Sequence, residues 1–141
     1  MLFAGVLATA AMQAQVSRPS ALIGTFHDDY GTAHTISADV WRHGKAARYD
    51  IAEWHADEQF FIAHNAADNP SDPGKWSRVD WVMLPDATGT PAYEWAYCMS
   101  AYDAPSAEAA RAVTVAKREN PKTGCNGFPF TRMARSKESV K

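Results

Sequence analysis

The chain has 141 residues, of which 46% are hydrophobic and 21% are charged. A chain of this length and composition forms one globular domain with a core of its own. The formal net charge of −2 and the pI of about 6.2 argue against a general nucleic-acid-binding protein, which normally carries a basic surface.

Residues 1–14 predict a secretory signal peptide. The run MLFAGVLATAAMQA contains no charged residue, and the small residues Ala8, Ala10 and Ala14 are typical of a cleavage region. The alternative is a short buried helix, since a membrane span takes about 20 apolar residues and this run is shorter. We therefore expect an exported protein, periplasmic or secreted, with no transmembrane segment. Residues 15–21 would form a polar leader.

The chain has two cysteines, Cys98 and Cys125. In an oxidising compartment this even count predicts a Cys98–Cys125 disulfide. Their spacing matches no zinc motif and there is no Cys-x-x-Cys redox pair. The predicted disulfide therefore depends on the predicted export of the protein to an oxidising compartment.

Short runs of residues, most of them alternating between apolar and polar and one (residues 59–64) apolar on both faces, predict six strands in a single β-rich domain, residues 22–133. The first two strands, residues 22–26 and 34–41, flank a turn rich in Asp and Gly and form a predicted hairpin. The remaining four predicted strands are residues 48–54, 59–64, 76–84 and 93–102.

The last predicted strand, residues 93–102, is the most aromatic part of the chain. Its alternation places Tyr93, Trp95, Tyr97 and Met99 on one face and Cys98 on the other. If Cys98 is bonded to Cys125, its face must look toward the C-terminal segment. The aromatic face must then look into the core or a pocket.

An alanine-rich segment, residues 105–118, predicts a helix. Asp103 and Ser106 are alternative caps, and Pro105 suits the first turn. Asn120 and Pro121 end the segment. Residues 134–141 are predicted to be a basic tail outside the domain.

Consecutive strands with tight connections predict a mainly β fold. We expect an antiparallel meander that forms a small barrel or a strongly curled sheet, with one C-terminal helix packed against it. Closure removes exposed strand edges, which favours the barrel. The element order resembles the calycin (lipocalin-like) plan, with Gly24-Thr25-Phe26 in place of the Gly-x-Trp signature.

Several short stretches also resemble an uncharacterised family of small exported bacterial proteins. They include Asp28-Asp29-Tyr30-Gly31, Ser77-Arg78-Val79-Asp80-Trp81 and Thr123-Gly124-Cys125-Asn126-Gly127-Phe128-Pro129-Phe130. The resemblance covers most of the chain after the signal peptide. It implies export and no particular activity.

The predicted turn of the first hairpin carries a candidate metal site: His27, Asp28, Asp29 and His34. Across a hairpin, two imidazoles and a nearby carboxylate suit Zn²⁺ or a similar divalent metal. The alternative is that the aspartates bind turn amides and the histidines lie on a solvated rim.

A second candidate site is a ligand pocket inside the barrel. Its candidate residues are Trp54, Trp76, Arg78, Asp80 and Trp95. Pointing inward, the arginine and the aspartate would orient a polar or anionic small molecule among the tryptophans. The alternative is that the charges face outward as ion pairs and the tryptophans fill a solid core.

No pattern predicts catalysis. There is no Gly-x-Ser-x-Gly motif and no phosphate-binding glycine loop, and the carboxylates are too scattered to suggest the acid pair of a glycosidase. We predict no catalytic residue and no cofactor, which favours a protein that is not an enzyme. Three functions stay open: a small-ligand-binding barrel, an envelope or protein-interaction module with a solid core, and a metal-binding protein. The oligomeric state also stays open.

Overall fold

The computed structural model describes residues 19–85 and 87–137, so the predicted signal peptide at residues 1–14 lies outside the described residues. A short 3₁₀ turn, Ser20–Leu22, precedes the first strand. The elements that follow are β1 (Gly24–Asp28), β2 (Ala33–Ile36), β3 (Val40–His43), β4 (Ala47–His55), β5 (Phe60–Asn65), β6 (Trp76–Met83), β7 (Tyr93–Ala104), α1 (Ala107–Arg111) and β8 (Thr131–Arg135).

The strands form a closed antiparallel barrel in the order of the sequence. Each strand pairs with its neighbour in the chain, and β8 closes the barrel against β1, with Phe26 opposite Arg135. The predicted mainly β fold is confirmed, and of the two predicted forms it is the barrel. This architecture is compatible with the calycin resemblance.

The prediction of one strand over residues 34–41 is wrong, because the chain turns between β2 and β3. The hydroxyl of Ser37 accepts the backbone N–H of Val40 at 3.1 Å, and the N–H of Ser37 donates to the carbonyl of Val40 at 2.9 Å. This serine-centred turn breaks a run whose alternation continues on both sides of it.

The closing strand β8 was not predicted. It begins at Thr131 and continues past the start of the predicted basic tail at residue 134. Met133 and Ala134 are buried, while the arginines on either side of them are exposed. Because of these arginines the sequence resembles a solvated tail, although Met133 and Ala134 are buried against the rest of the barrel.

The predicted helix packs against the barrel, but it is five residues long rather than fourteen. Ser106 caps it, and its hydroxyl accepts the N–H of Ala109 at 3.1 Å. Beyond Ala112 the chain extends, and Ala116 forms a β-bridge with Cys125. The intervening Val-Thr-Val run is β-branched, which lowers its helix propensity and favours the extended pairing.

The barrel interior is packed with large apolar side chains. Leu22 joins this cluster from the 3₁₀ turn, next to the start of β1. The other buried members are Phe26, Ile36, Trp41, Trp54, Phe61, Ala63, Val79, Trp81, Trp95, Tyr97 and Met133. Trp41 is in ring contact with Tyr49, Phe61 and Tyr97, at centroid distances of 4.9, 6.0 and 5.3 Å. Interlocked aromatic rings thus fill the space where a calycin-type ligand would lie.

The two faces of β7 lie as predicted from Trp95 onward, but Tyr93, which was predicted to share the inward face, packs against Arg132 beyond a register shift in the strand. Trp95 and Tyr97 are buried in the interior, and Met99 packs against that cluster. Cys98 lies on the opposite face in a cluster with Ala96 and Phe130. The predicted Cys98–Cys125 disulfide is confirmed, and it fastens the C-terminal segment to the outer wall of the barrel.

Candidate functional site

The five predicted ligand-binding residues do not line one space. Trp54 and Trp95 belong to the interior cluster. Trp76 packs in a separate cluster outside the barrel beside α1, and its ring centroid lies 4.6 Å from that of His64. Arg78 and Asp80 share this outer face with Trp76, because the three alternate along β6 with the inward-facing Val79 and Trp81.

Arg78 and Asp80 form the centre of a buried network that holds the segment around α1 against the wall. Two nitrogens of Arg78 donate to the Asp80 carboxylate at 3.0 and 3.1 Å, and a third donates to the carbonyl of Arg111 at 2.7 Å. Asp80 also accepts from Arg118 at 2.6 Å and from the hydroxyl of Ser100 at 2.5 Å. Every hydrogen-bond partner named here belongs to the chain itself, so Arg78 and Asp80 stabilise the fold and are already occupied.

The predicted metal residues separate in a similar way. Asp28 and His34 meet inside the barrel, where Asp28 is 6% exposed and His34 is 1% exposed. His43, which was not predicted, joins them, and its ring centroid lies 4.5 Å from that of His34. His27 faces outward and hydrogen-bonds the Ser136 side chain. Asp29 lies on the outer wall.

The hydrogen bonds around His34 determine which of its nitrogens carries the proton. Trp41 can only donate, and its indole N–H donates to Nδ1 of His34 at 3.0 Å. Nε2 therefore carries the proton in the neutral ring, and it donates to Asp28 at 2.8 Å. Asp28 also accepts the backbone N–H groups of Tyr30 and Thr32, at 3.0 and 2.8 Å. The Trp41 indole N–H, both ring nitrogens of His34 and both carboxylate oxygens of Asp28 therefore all have hydrogen-bond partners.

This pattern does not fit a metal centre. A histidine ligand binds a metal through an unprotonated nitrogen and donates its other N–H to an acceptor. Here the nitrogen that faces Asp28 carries the proton, and the other nitrogen faces the N–H of Trp41. Metal binding by Nε2 would require Trp41 to lose its buried acceptor. The arrangement suits a structural relay from Trp41 through His34 to Asp28.

Burial governs the pKa values in this cluster. It lowers the pKa of His34, and hydrogen bonding to Asp28 only partly offsets the effect. Burial and the neighbouring His34 lower the pKa of His43. For Asp28, burial by itself would raise the pKa, but bonds from His34 and from the Thr32 and Tyr30 amides lower it. Near neutral pH both rings are therefore neutral and the carboxylate is ionised.

An open groove lies on the outer wall of the barrel. It has a volume of about 710 Å³ and runs between the wall and the C-terminal segment. Its lining residues are Asp29, Leu84, Asn120, Pro121, Lys122, Pro129, Phe130 and Arg132. Most of the lining is apolar, and the charged groups are one carboxylate, one ammonium and one guanidinium. A smaller depression of about 270 Å³ lies elsewhere on the surface, beside Ala52 and Trp54.

Asp29 and Arg132 form the polar end of the groove. Oδ2 of Asp29 accepts from Nε of Arg132 at 3.1 Å and from its backbone N–H at 3.3 Å. The guanidinium carbon lies 4.3 Å from the ring centroid of Tyr93. The other carboxylate oxygen, Oδ1, is buried and has no hydrogen-bond partner among the described residues. Such an oxygen is costly to leave unpaired.

Sequence reasoning found only part of this groove. It singled out Asp29, but for a metal site, and it assigned Arg132 no role. Leu84 ends a predicted strand and Lys122 lies in a loop, so neither carries a local signal. The exported-family resemblance included the stretch with Pro129 and Phe130, which was the one indication that this segment is special.

No family model, curated protein or solved structure matches this chain. The resemblance to an exported bacterial family therefore stays an expectation. Among residues 19–85 and 87–137, no helix has the length and apolar character of a membrane span.

Proposed function

We propose that this protein is an exported β-barrel that binds a small, largely apolar ligand in the groove on its outer wall. The observation that carries the proposal is the groove itself, an opening of about 710 Å³. Small-molecule sites typically have volumes of roughly 300–1,000 Å³, apolar walls and a few convergent polar groups. Leu84, Pro121, Pro129 and Phe130 supply the apolar wall, and Arg132 supplies a polar end.

The packing of the interior supports a site on the outside. Trp54 and Trp95, two residues predicted to bind ligand, are 7% and 1% exposed within the aromatic cluster. A ligand inside the barrel would have to displace rings that fill a close-packed core. We therefore keep the hypothesis that the protein binds a small ligand, but propose a site on the outer surface of the barrel instead of inside it.

Two observations support export. The Cys98–Cys125 disulfide is the kind of bond that persists in oxidising compartments. Residues 1–14 carry the predicted signal peptide. Fractionation of cells that express the full chain would test export, and retention of the intact chain in the cytoplasm would contradict it.

Filling the groove tests the binding site. Leu84→Trp adds bulk to its wall, and Ala52→Trp introduces the same indole side chain at the smaller depression as a control. With methyl 3-phenylpropionate as a neutral apolar probe, we expect Leu84→Trp to weaken binding at least about tenfold, which is about 1.4 kcal/mol. Ala52→Trp should leave the affinity unchanged. Equal affinities for both variants and the native chain would refute the proposed site.

A second candidate function is a protein-interaction module. Tyr30 and Phe128 are 79% and 70% exposed, unusually high for large aromatic residues. Each is the sequence neighbour of a groove residue, Asp29 and Pro129 respectively. If these rings mediate self-association, sedimentation velocity should show a concentration-dependent dimer that Tyr30→Ser with Phe128→Ser removes. A monomer at all concentrations would exclude a dimer formed through this surface.

A further inference from the structure

The charged end of the groove indicates the chemical class of its ligand. We propose that the ligand is an apolar carboxylic acid with a hydrogen-bond donor on the adjacent carbon, an α-hydroxy or α-amino acid with a large apolar side chain. This inference rests on the proposed function and makes it specific.

Arg132 is placed to bind a carboxylate. Its Nε is held by Asp29, and its two terminal nitrogens have no hydrogen-bond partner among the described residues. Its side chain is 53% exposed, and the Tyr93 ring supports the guanidinium plane. A guanidinium whose position is fixed and whose terminal nitrogens are free matches the two oxygens of a carboxylate.

Asp29 is placed to accept from the ligand. Its Oδ2 is used by Arg132, but its buried Oδ1 has no partner in the described part of the chain. Because Oδ1 has almost no exposed surface, the Asp29 carboxylate would have to turn toward the groove to accept a hydroxyl or ammonium group of a bound molecule. Because Oδ2 of Asp29 contacts Nε of Arg132, a ligand that binds both side chains would carry its donor close to its carboxylate, as on adjacent carbons.

The charge of the groove favours an anion. Arg132 and Lys122 contribute two positive charges and Asp29 one negative charge, which leaves one net positive charge. A hydroxy acid, which carries a single negative charge, complements this sum. An amino acid has no net charge, but its ammonium gains a charge-assisted bond to Asp29. The apolar wall of Leu84, Pro129 and Phe130 would receive the side chain in either case.

Four related probes separate these contributions: L-phenyllactate, L-phenylalanine, 3-phenylpropionate and its neutral methyl ester. Calorimetry on the native chain should show phenyllactate or phenylalanine binding at least about tenfold tighter than 3-phenylpropionate, which lacks the donor. 3-Phenylpropionate should in turn bind more tightly than its methyl ester, which lacks the charge. The tighter of the first two probes identifies the hydroxy acid or the amino acid.

Variants assign each preference to its residue. Asp29→Ala should abolish the preference for a donor, while Asp29→Asn, which keeps an oxygen acceptor, should preserve it for phenyllactate and reduce it for phenylalanine. Arg132→Gln should abolish the preference for a carboxylate. The affinity for the methyl ester, which has neither the charge nor the donor, should fall much less in all three variants than the affinity for the acids. Ala52→Trp, which lies outside the groove, should leave the affinity for all four probes unchanged.

The possible failures are distinguishable. If the methyl ester binds in the groove but 3-phenylpropionate binds as tightly as both α-substituted acids, the inference is overturned and the proposed function stands. The inference is also overturned if Asp29→Ala keeps the full preference for a donor. If none of the four probes binds, the inference and the proposed function both fail.

Discussion

The indole N–H of Trp41 donates to Nδ1 of His34 at 3.0 Å inside the barrel. His34 in turn donates from Nε2 to Asp28, whose carboxylate also accepts two backbone N–H groups of the turn after β1. The relay satisfies a tryptophan donor that would otherwise be buried without an acceptor. It also ties the core to the turn that carries Asp29, so a buried polar contact supports one wall of the groove.

Breaking the relay should destabilise the protein. We expect His34→Leu to lower the free energy of unfolding by about 2–4 kcal/mol, because Trp41 loses its acceptor and Asp28 loses a donor while both stay buried. Urea denaturation with tryptophan fluorescence measures this loss. In a double-mutant cycle, adding Trp41→Phe to His34→Leu should cost less than Trp41→Phe alone. Strict additivity would show that the two residues are not coupled.

Zinc should not stabilise the fold through Asp28, His34 and His43. Neutral His34 presents a protonated nitrogen to Asp28, so binding would break the bond to Trp41. We expect the thermal midpoint of chelator-treated protein to stay the same when ZnCl₂ is added. A rise in the native chain that His43→Gln removes would instead support the metal-binding hypothesis.

Stability should fall on both sides of a plateau between about pH 6.5 and 10. The folded pKa values of His34 and His43 are lowered from 6.5, so the unfolded chain takes up protons first as the pH falls below that value. Asp28, whose pKa is lowered from 3.8, adds a further loss below that pH. Burial raises the pKa of Tyr97 above 10.0, so the unfolded chain loses this proton first at alkaline pH.

Urea denaturation across this pH range measures both slopes. His43→Gln should flatten the acid slope, and Tyr97→Phe should flatten the alkaline one. An unchanged acid slope in His43→Gln would contradict the assignment of that proton uptake to the buried histidine pair.

The disulfide should support both the fold and the groove. Cys98 and Cys125 are 27 residues apart, so removing the bond costs about 3–4 kcal/mol in the chain-entropy model. Groove residues 120–122 lie inside the loop that the bond closes, and Pro129 and Phe130 follow it closely. In Cys98→Ser with Cys125→Ser, we expect lower stability and weaker binding of methyl 3-phenylpropionate. Unchanged binding would show that the bond does not position the groove.

Most of the fold was predictable because the sequence of β6 alternates between apolar and polar residues, β7 is rich in aromatic residues, and β5 is a short apolar run that is buried on both faces. The prediction missed β8 because arginines flank its two buried residues and because its pairing with β1 joins opposite ends of the chain. The helix was predicted too long because alanine content is a local signal. The bridge between Ala116 and Cys125 that ends the helical region is a tertiary contact.

The candidate site was less predictable than the fold. Asp28 and Asp29 are adjacent in sequence, yet one lies in the core and the other on the outer wall, so their spacing suggested a single cluster that the barrel wall divides. Arg132 reaches Asp29 only because β8 lies beside β1. A site assembled across the closure of a barrel leaves no spacing motif in the sequence.

The central claim is that the ligand binds in the outer groove and not inside the barrel. The most direct test is an NMR titration of the isotope-labelled full chain with methyl 3-phenylpropionate. We predict the largest chemical-shift changes at Leu84, Phe130 and Arg132, with the indole N–H resonances of Trp41 and Trp54 unchanged. Large changes at those two indoles, with none at the groove, would contradict the account.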